Sequence, residues 1–182
     1  MEKKKSLLLR FLIWRVLHIS QRTYFLILSG LVGLGGGLAA LTLKTLVFYM
    51  HGKLLENKSF DEYNLLVFIY PVIGIALTFI FTRYILRDKI KHNIASILYA
   101  ISKRNSLVKA HKIFSSIIGG ILTAGFGGSI GLESPIISSG SAIGSNTGRW
   151  LKLSYKEVTL LLACGAAGAI SAIFHTPIAA IV

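Results

Sequence analysis

The chain has 182 residues, 53% of them hydrophobic, and a net charge of +13 from 20 Lys and Arg against 7 Asp and Glu. Its mean hydropathy of +0.67 excludes an ordinary soluble domain and points to an integral membrane protein. The basic residues cluster between apolar runs rather than on one soluble face, which argues against nucleic-acid binding. The single cysteine, Cys164, leaves no intrachain disulfide framework or cysteine metal site.

Four stretches lack charged residues for about the 20 positions a bilayer span requires: residues 24–43, 63–82, 113–132 and 158–182. They are continuous apolar runs without strand-like alternation, so they predict helices and not a barrel. Residues 1–22 begin with Lys3, Lys4 and Lys5, and Arg10 and Arg15 interrupt the apolar residues that follow. With no small-residue cleavage site after it, this segment reads as a basic amphipathic helix at the interface and places the N-terminus in the cytoplasm.

The first span, from 24 to about 50, carries a glycine-rich stretch in which Gly33 and Gly37 form a small-xxx-small face for close helix packing. A phosphate loop would need a following Lys-Ser/Thr pair, which is absent. The mixed-charge loop 51–62 is expected outside the cell. A second span follows over 63–86, with Pro71 near its start. The next loop is strongly basic (Arg83, Arg87, Lys89, Lys91, then Lys103, Arg104, Lys109, Lys112) and is expected in the cytoplasm. Between its two charge groups, residues 92–101 are too short to span and predict a short or partly inserted helix opened by His92 and Asn93.

The third apolar unit, 113–125, is glycine-dense and leads into F-G-G-S-I-G-L-E-S-P-I-I-S-S-G-S-A-I-G-S-N-T-G at 126–148. This stretch holds one acid, Glu133, among Gly127, Gly128, Gly131, Ser134 and Pro135. A lone carboxylate at membrane depth is a functional-site candidate. Pro135 fits the first turn of a helix, where its missing N–H costs nothing. The pattern predicts a helix N-terminus within the membrane, its N–H groups aimed at a small anion, with Glu133 standing where that anion would bind. Low dielectric raises the proton affinity of such a carboxyl and the helix dipole lowers it, a balance suited to a proton-linked gate. Ser138, Ser139, Gly140, Ser141 and Gly144 favour tight helix packing over lipid contact. After a short break at 149–157, the last run is interrupted by Gly165, Gly168 and the segment from His175 to Pro177, which predicts two half-helices. The chain stops inside an apolar segment, so it is expected to continue past Val182.

No nucleophile–base–orienter set is visible, and His18, His51, His111 and His175 show no ligand spacing. Neither an enzyme, nor a metal site, nor a cofactor is expected.

The sequence G-G-S-I-G-L-E-S-P, followed by G-S-A-I-G-S-N-T-G-R-W and L-L-A-C-G-A-A-G-A-I-S-A-I-F-H-T-P-I-A-A-I, resembles the CLC family of chloride channels and proton-coupled chloride antiporters. The family pattern is G-[KR]-E-G-P, a glycine-rich helix, then G-A-A-A-G-[IL]-A-A-A-F-N-A-P-[IL]-A-G. The likeness is strongest from about Gly125 onward and weaker back to about Tyr24. It implies an all-α integral membrane protein of tilted, broken and re-entrant helices, the first part of an inverted-repeat fold, with residues 23–182 forming part of that domain.

By this resemblance Glu133 falls on the gating glutamate, and Gly131, Leu132, Glu133 and Ser134 on the turn that holds the outer anion sites. Lys91-His92-Asn93-Ile94-Ala95 falls on G-[SH]-G-[IV]-P, so His92, Asn93 and Ile94 would approach the central anion. Pro135, Gly128, Gly140 and Gly144 would serve helix start and packing. The departures are Lys91, Asn93 and Ala95 for Gly, Gly and Pro; Leu132 for a basic residue; Ser134 for Gly; and His175 and Thr176 for Asn and Ala. The G-x-F-x-P loop, the anion-coordinating tyrosine and the inner proton-transfer glutamate would lie beyond Val182.

The resemblance further implies chloride or a similar small anion as the ligand, a lipid environment in the plasma (inner) membrane, and a homodimer with one pathway per subunit. Channel and antiporter are both open. The alternatives are a non-conducting accessory or remnant membrane protein, and the fluoride-exporting branch of the family, which commonly carries Thr where Pro135 stands here.

Overall fold

The computed structural model describes residues 20–55, 65–86, 94–103 and 105–180. Among these residues there are six α-helices and no strand: α1 (Gln21–Leu55), α2 (Leu65–Ile80), α3 (Ile94–Lys103), α4 (Lys112–Gly125), α5 (Glu133–Trp150) and α6 (Tyr155–Phe174), with a π-helical turn (Phe81–Leu86) continuing α2. The all-helical class expected from the apolar runs is thus observed. α1 and α6 are long and apolar enough to cross a membrane; α3, α4 and the apolar part of α2 are shorter. The basic segment expected at 1–22 lies outside the described residues up to position 19.

Several boundaries differ from the sequence reading. α1 does not stop near Met50 but runs on through His51–Leu55, the first five residues of the expected extracellular loop. Pro71 lies inside α2, seven residues into the helix rather than at its edge. At that depth the proline removes one backbone hydrogen bond from the helix interior. The last apolar run is one unbroken helix across Gly165 and Gly168 and ends only at His175, whose backbone turns left-handed (φ 56°). The glycines that were expected to break this helix serve instead to let others approach it. The connection to α5 is also tighter than 149–157, since α5 reaches Trp150 and α6 begins at Tyr155. Ser154 and Glu157 form a reciprocal capping box there, which fixes the start of α6.

α1 and α6 run parallel. Their first turns are joined by a 3.0 Å hydrogen bond from Gln21 Nε2 to Glu157 Oε1. α5 runs antiparallel to both and packs against both. The three meet at Gly165: its carbonyl stands so close to Gly36 of α1 and Gly140 of α5 that a Cβ at either glycine would clash with backbone. One turn toward the start of α6, Gly144 abuts the Leu161 carbonyl; one turn the other way, Gly168 abuts Gly33. In lipid the hydrophobic effect does not drive helices together, so backbone approach and dispersion hold this bundle. The expected Gly33–Gly37 stripe does face α6, and Gly36 is the residue that makes the closest approach.

Large apolar side chains point outward. Leu26, Leu31, Leu34, Leu38 and Phe48 of α1 are 61–70% exposed, whereas Ser138, Ser139, Ser141 and Ser145 of α5 are buried. Small and polar residues inside with branched apolar residues outside is the reverse of a water-soluble helix bundle. Packing toward the Glu133 end of α5 centres on Ala40, Leu43, Val47, Ile136 and Ala169. A second cluster of Ile97, Ala100, Val108, Ala142 and Leu162 holds the short α3 against α5 and α6.

The loop between α3 and α4 is fastened to α5 by side chains. Ser145 Oγ donates to the Ser106 carbonyl (2.6 Å) and accepts from the Val108 N–H (2.9 Å). Asn146 Nδ2 donates to the Val108 carbonyl at 3.2 Å. Ser106 Oγ pairs with Thr159 Oγ1 of α6 at 2.6 Å.

Two outcomes check this packing. Gly165→Ala introduces a methyl group against the Gly140 backbone and is expected to lower stability by about 1–3 kcal/mol, read as a reduced melting temperature of the detergent-solubilised protein. Ser145→Ala strands a buried N–H and a carbonyl and is expected to cost about 1–3 kcal/mol. Faster amide exchange at Val108 distinguishes this local loss from global unfolding.

Candidate functional site

The site begins where α4 ends. The Gly127 N–H donates to the Ala124 carbonyl (3.0 Å), and the Gly128 N–H reaches back to the Thr123 carbonyl (2.9 Å). These are the paired bonds of a Schellman ending, which requires a left-handed residue at the position Gly127 occupies with φ +82°. Gly128 is also sterically fixed, because an added Cβ would lie 2.7 Å from the Thr123 carbonyl. The chain therefore leaves α4 sharply, crosses residues 128–132 and enters α5 at Glu133.

The first turn of α5 is held from behind. Leu132 and Ile136 pack into the cluster formed with Ala40 and Leu43 of α1 and Ala169 of α6. Pro135 is buried and, with Leu43, faces Gly120 of α4. Pro135 sits within the first turn, as its fixed φ favours. Leu132 occupies the N-cap position and has no side-chain oxygen to close the turn. Glu133 is the first helical residue and the acid of that turn, a placement the helix dipole favours.

Glu133 and Gly131 are exposed and Ser134 is half-buried. An added Cβ at Gly131 would meet nothing within 4 Å, so the glycine side of the turn is open. The carboxylate therefore projects from a rigid, apolar-backed turn into open space and is not enclosed by the described helices.

The structure brings Gly128, Gly131, Leu132, Glu133, Ser134 and Pro135 into this one turn and its approach. Gly140 and Gly144 lie further along α5, in the contact with α6. His92 and Asn93 lie outside the described residues. Ile94 is the first residue of α3 and is exposed. α3 packs on α5 through Ala142, roughly 13 Å along that helix from Glu133. Among the described residues no group of three or more His, Cys, Asp or Glu is placed to hold a metal ion.

Three features escaped the sequence reading. The Schellman ending was signalled by Gly127-Gly128 after an apolar helix, and the capping box by Ser154-x-x-Glu157. The hydroxyl fastening of Ser106, Ser145 and Thr159 had no local signal, because its members come from three separate segments.

The family model described as voltage gated chloride channel matches residues 73–182, more than half of the chain and all of α3 to α6. No curated protein and no solved structure matches it. The chain belongs to the voltage gated chloride channel family, and is a membrane protein by that membership and its apolar helices.

Gly127→Ala is expected to cost about 1 kcal/mol, since an L-residue with a Cβ resists the left-handed conformation. The check is a thermal melt in which Gly131→Ala, at an open position, serves as the near-neutral comparison.

Proposed function

We propose that this chain carries the Glu133-gated part of a transmembrane pathway for chloride or a similar small anion. The observation that supports this reading is the turn at Glu133: an acid at the first position of α5, backed by Leu132, Pro135 and Ile136 and flanked by glycines on an open side. An anion at that place meets the positive end of the helix dipole. An ionised Glu133 carboxylate competes for the same place, being an anion of similar charge on a short tether. Protonating or displacing it vacates the place, so acid opens the path. Helix ends without Lys or Arg suit this task, because a permeating ion must bind and then leave.

The proposed orientation has the Glu133 end outside and the N-terminus in the cytoplasm. Supporting it, Arg22, Arg83, Lys103, Lys109, Lys112, Arg149, Lys152 and Lys156 belong to the opposite end of the helices, as the positive-inside rule requires. His92 and Asn93, which precede α3 in the sequence, are included in the proposed pathway because they fall on the family's central anion motif. Assembly as a homodimer with a pathway in each subunit completes the reading, and the outward apolar side chains of α1 are suited to lipid. Passive conduction and proton-coupled exchange both fit this reading.

The test is chloride efflux from liposomes that hold the full-length protein. The parent flux is expected to rise several-fold as the pH is lowered. Glu133→Ala is expected to give a flux that no longer responds to pH. Folded protein of both forms with no anion flux would overturn the transport reading in favour of an accessory role.

A further inference from the structure

Four exposed cations, Arg22, Arg149, Lys152 and Lys156, gather where α5 ends and α1 and α6 begin. Their gathering is a product of the packing. Leu151 and Leu153 join a cluster with Leu28 and Val32 of α1 and Leu161 of α6, which leaves Lys152, between them, facing outward. The N–H groups of Lys152 and Leu153 donate back to the carbonyls of Arg149 and Gly148 at 3.1 and 3.0 Å, so the turn is folded tightly onto the end of α5. The hydrogen bond from Gln21 to Glu157 joins the first turns of α1 and α6 and so brings the backbones of Arg22 and Lys156 close together.

Counter-charge is scarce at this corner. Glu133 and Glu157 are the acids among the described residues. Glu133 stands at the opposite end of α5, and Glu157 accepts from Gln21 through Oε1 and from the Ser154 N–H and hydroxyl through Oε2. Residues 1–19 bring five more Lys and Arg against one Glu, so the chain just before α1 has the same sign. The cations also border the apolar flank of the bundle. Trp150, next to Arg149, is 70% exposed; Leu26 and Ile27, about a turn along α1 from Arg22, are 70% and 57% exposed; Leu160, a turn along α6 from Lys156, is 54% exposed. An acidic protein or a nucleic acid would need such charge on a face bounded by water. Cations at helix ends, with an aromatic ring and branched apolar side chains one turn deeper, match a molecule with an anionic head and hydrocarbon tails.

We propose that this corner of the bundle binds the head group of an anionic phospholipid. Arg22, Arg149, Lys152 and Lys156 attract its phosphate, and its acyl chains lie along the apolar flank beside Trp150, Leu26 and Leu160. The inference rests on membership of a membrane protein family and on this surface alone, so it stands whether or not the protein conducts anions.

The test is native mass spectrometry of the full-length protein in a neutral detergent, titrated with phosphatidylglycerol or with phosphatidylcholine of the same acyl chains. Phosphatidylglycerol is expected to be retained several-fold more tightly. Arg149→Gln combined with Lys152→Gln is expected to weaken its binding by about fivefold for each charge removed, with phosphatidylcholine unaffected. Lys53→Gln, in the last turn of α1 at the other end of the bundle, is expected to change neither lipid. A second pair, Arg22→Gln with Lys156→Gln, gives the same reading should the first pair fail to fold. Equal retention of the two lipids, a preference that survives the substitutions, or an equal loss in Lys53→Gln would overturn the proposal. So would inorganic phosphate bound as tightly as the lipid and lost in the same variants, which would mark a site for a free anion.

Discussion

The contact of Gly165 with Gly36 and Gly140 sets the geometry of this molecule. Three helices cross at one carbonyl, and any side chain at the facing positions would force backbones apart. In water such a contact would add little to the burial of large side chains. Between helices already surrounded by lipid, it is the closeness of backbones that favours association over dispersal. Gly144 with Leu161 and Gly168 with Gly33 extend the contact by a turn in each direction, so α1, α5 and α6 are held in register as well as in proximity.

That register positions the Glu133 turn. With α5 fixed against α6 by Gly140 and Gly144, its first turn falls level with Leu43 of α1 and Gly120 of α4, where Leu132, Pro135 and Ile136 find their packing partners. The sharp ending of α4 at Gly127 brings the chain to this point without a long loop. The role proposed for this turn would gain from such packing, because a helix end holds an ion by partial charges only if those charges do not follow the ion's movements.

Toward the other end of α5 the bundle is fastened by a different chemistry. The loop between α3 and α4 has a left-handed backbone at Asn105 and Ser106, and its polar groups are met by Ser145, Asn146 and Thr159. α5 thus presents glycine to α6, serine to α4 and the inner loop, and a carboxylate outward from its first turn. One helix serves three contacts because its small residues let each neighbour come close on its own face.

The sequence by itself determined the class and the place of the candidate site. Uncharged runs of bilayer length, basic residues between them, and a lone acid before a proline are properties of local composition, and each dictates its outcome without reference to distant residues. The placement of Pro135 in a first turn and the glycine stripe of α1 were legible for the same reason.

Only the tertiary structure decided what the glycines of the last run do. Gly165 and Gly168 carry the same local signal as a helix break, and they leave α6 continuous because α1 and α5 fill the space beside them. It also decided that His51–Leu55 stays helical, and that Ser106, Ser145 and Thr159 meet across 39 and 53 residues of chain. Contacts of that separation leave no periodic trace in a sequence, since the partner that satisfies a hydroxyl or excludes a side chain is known only when the helices have been brought together.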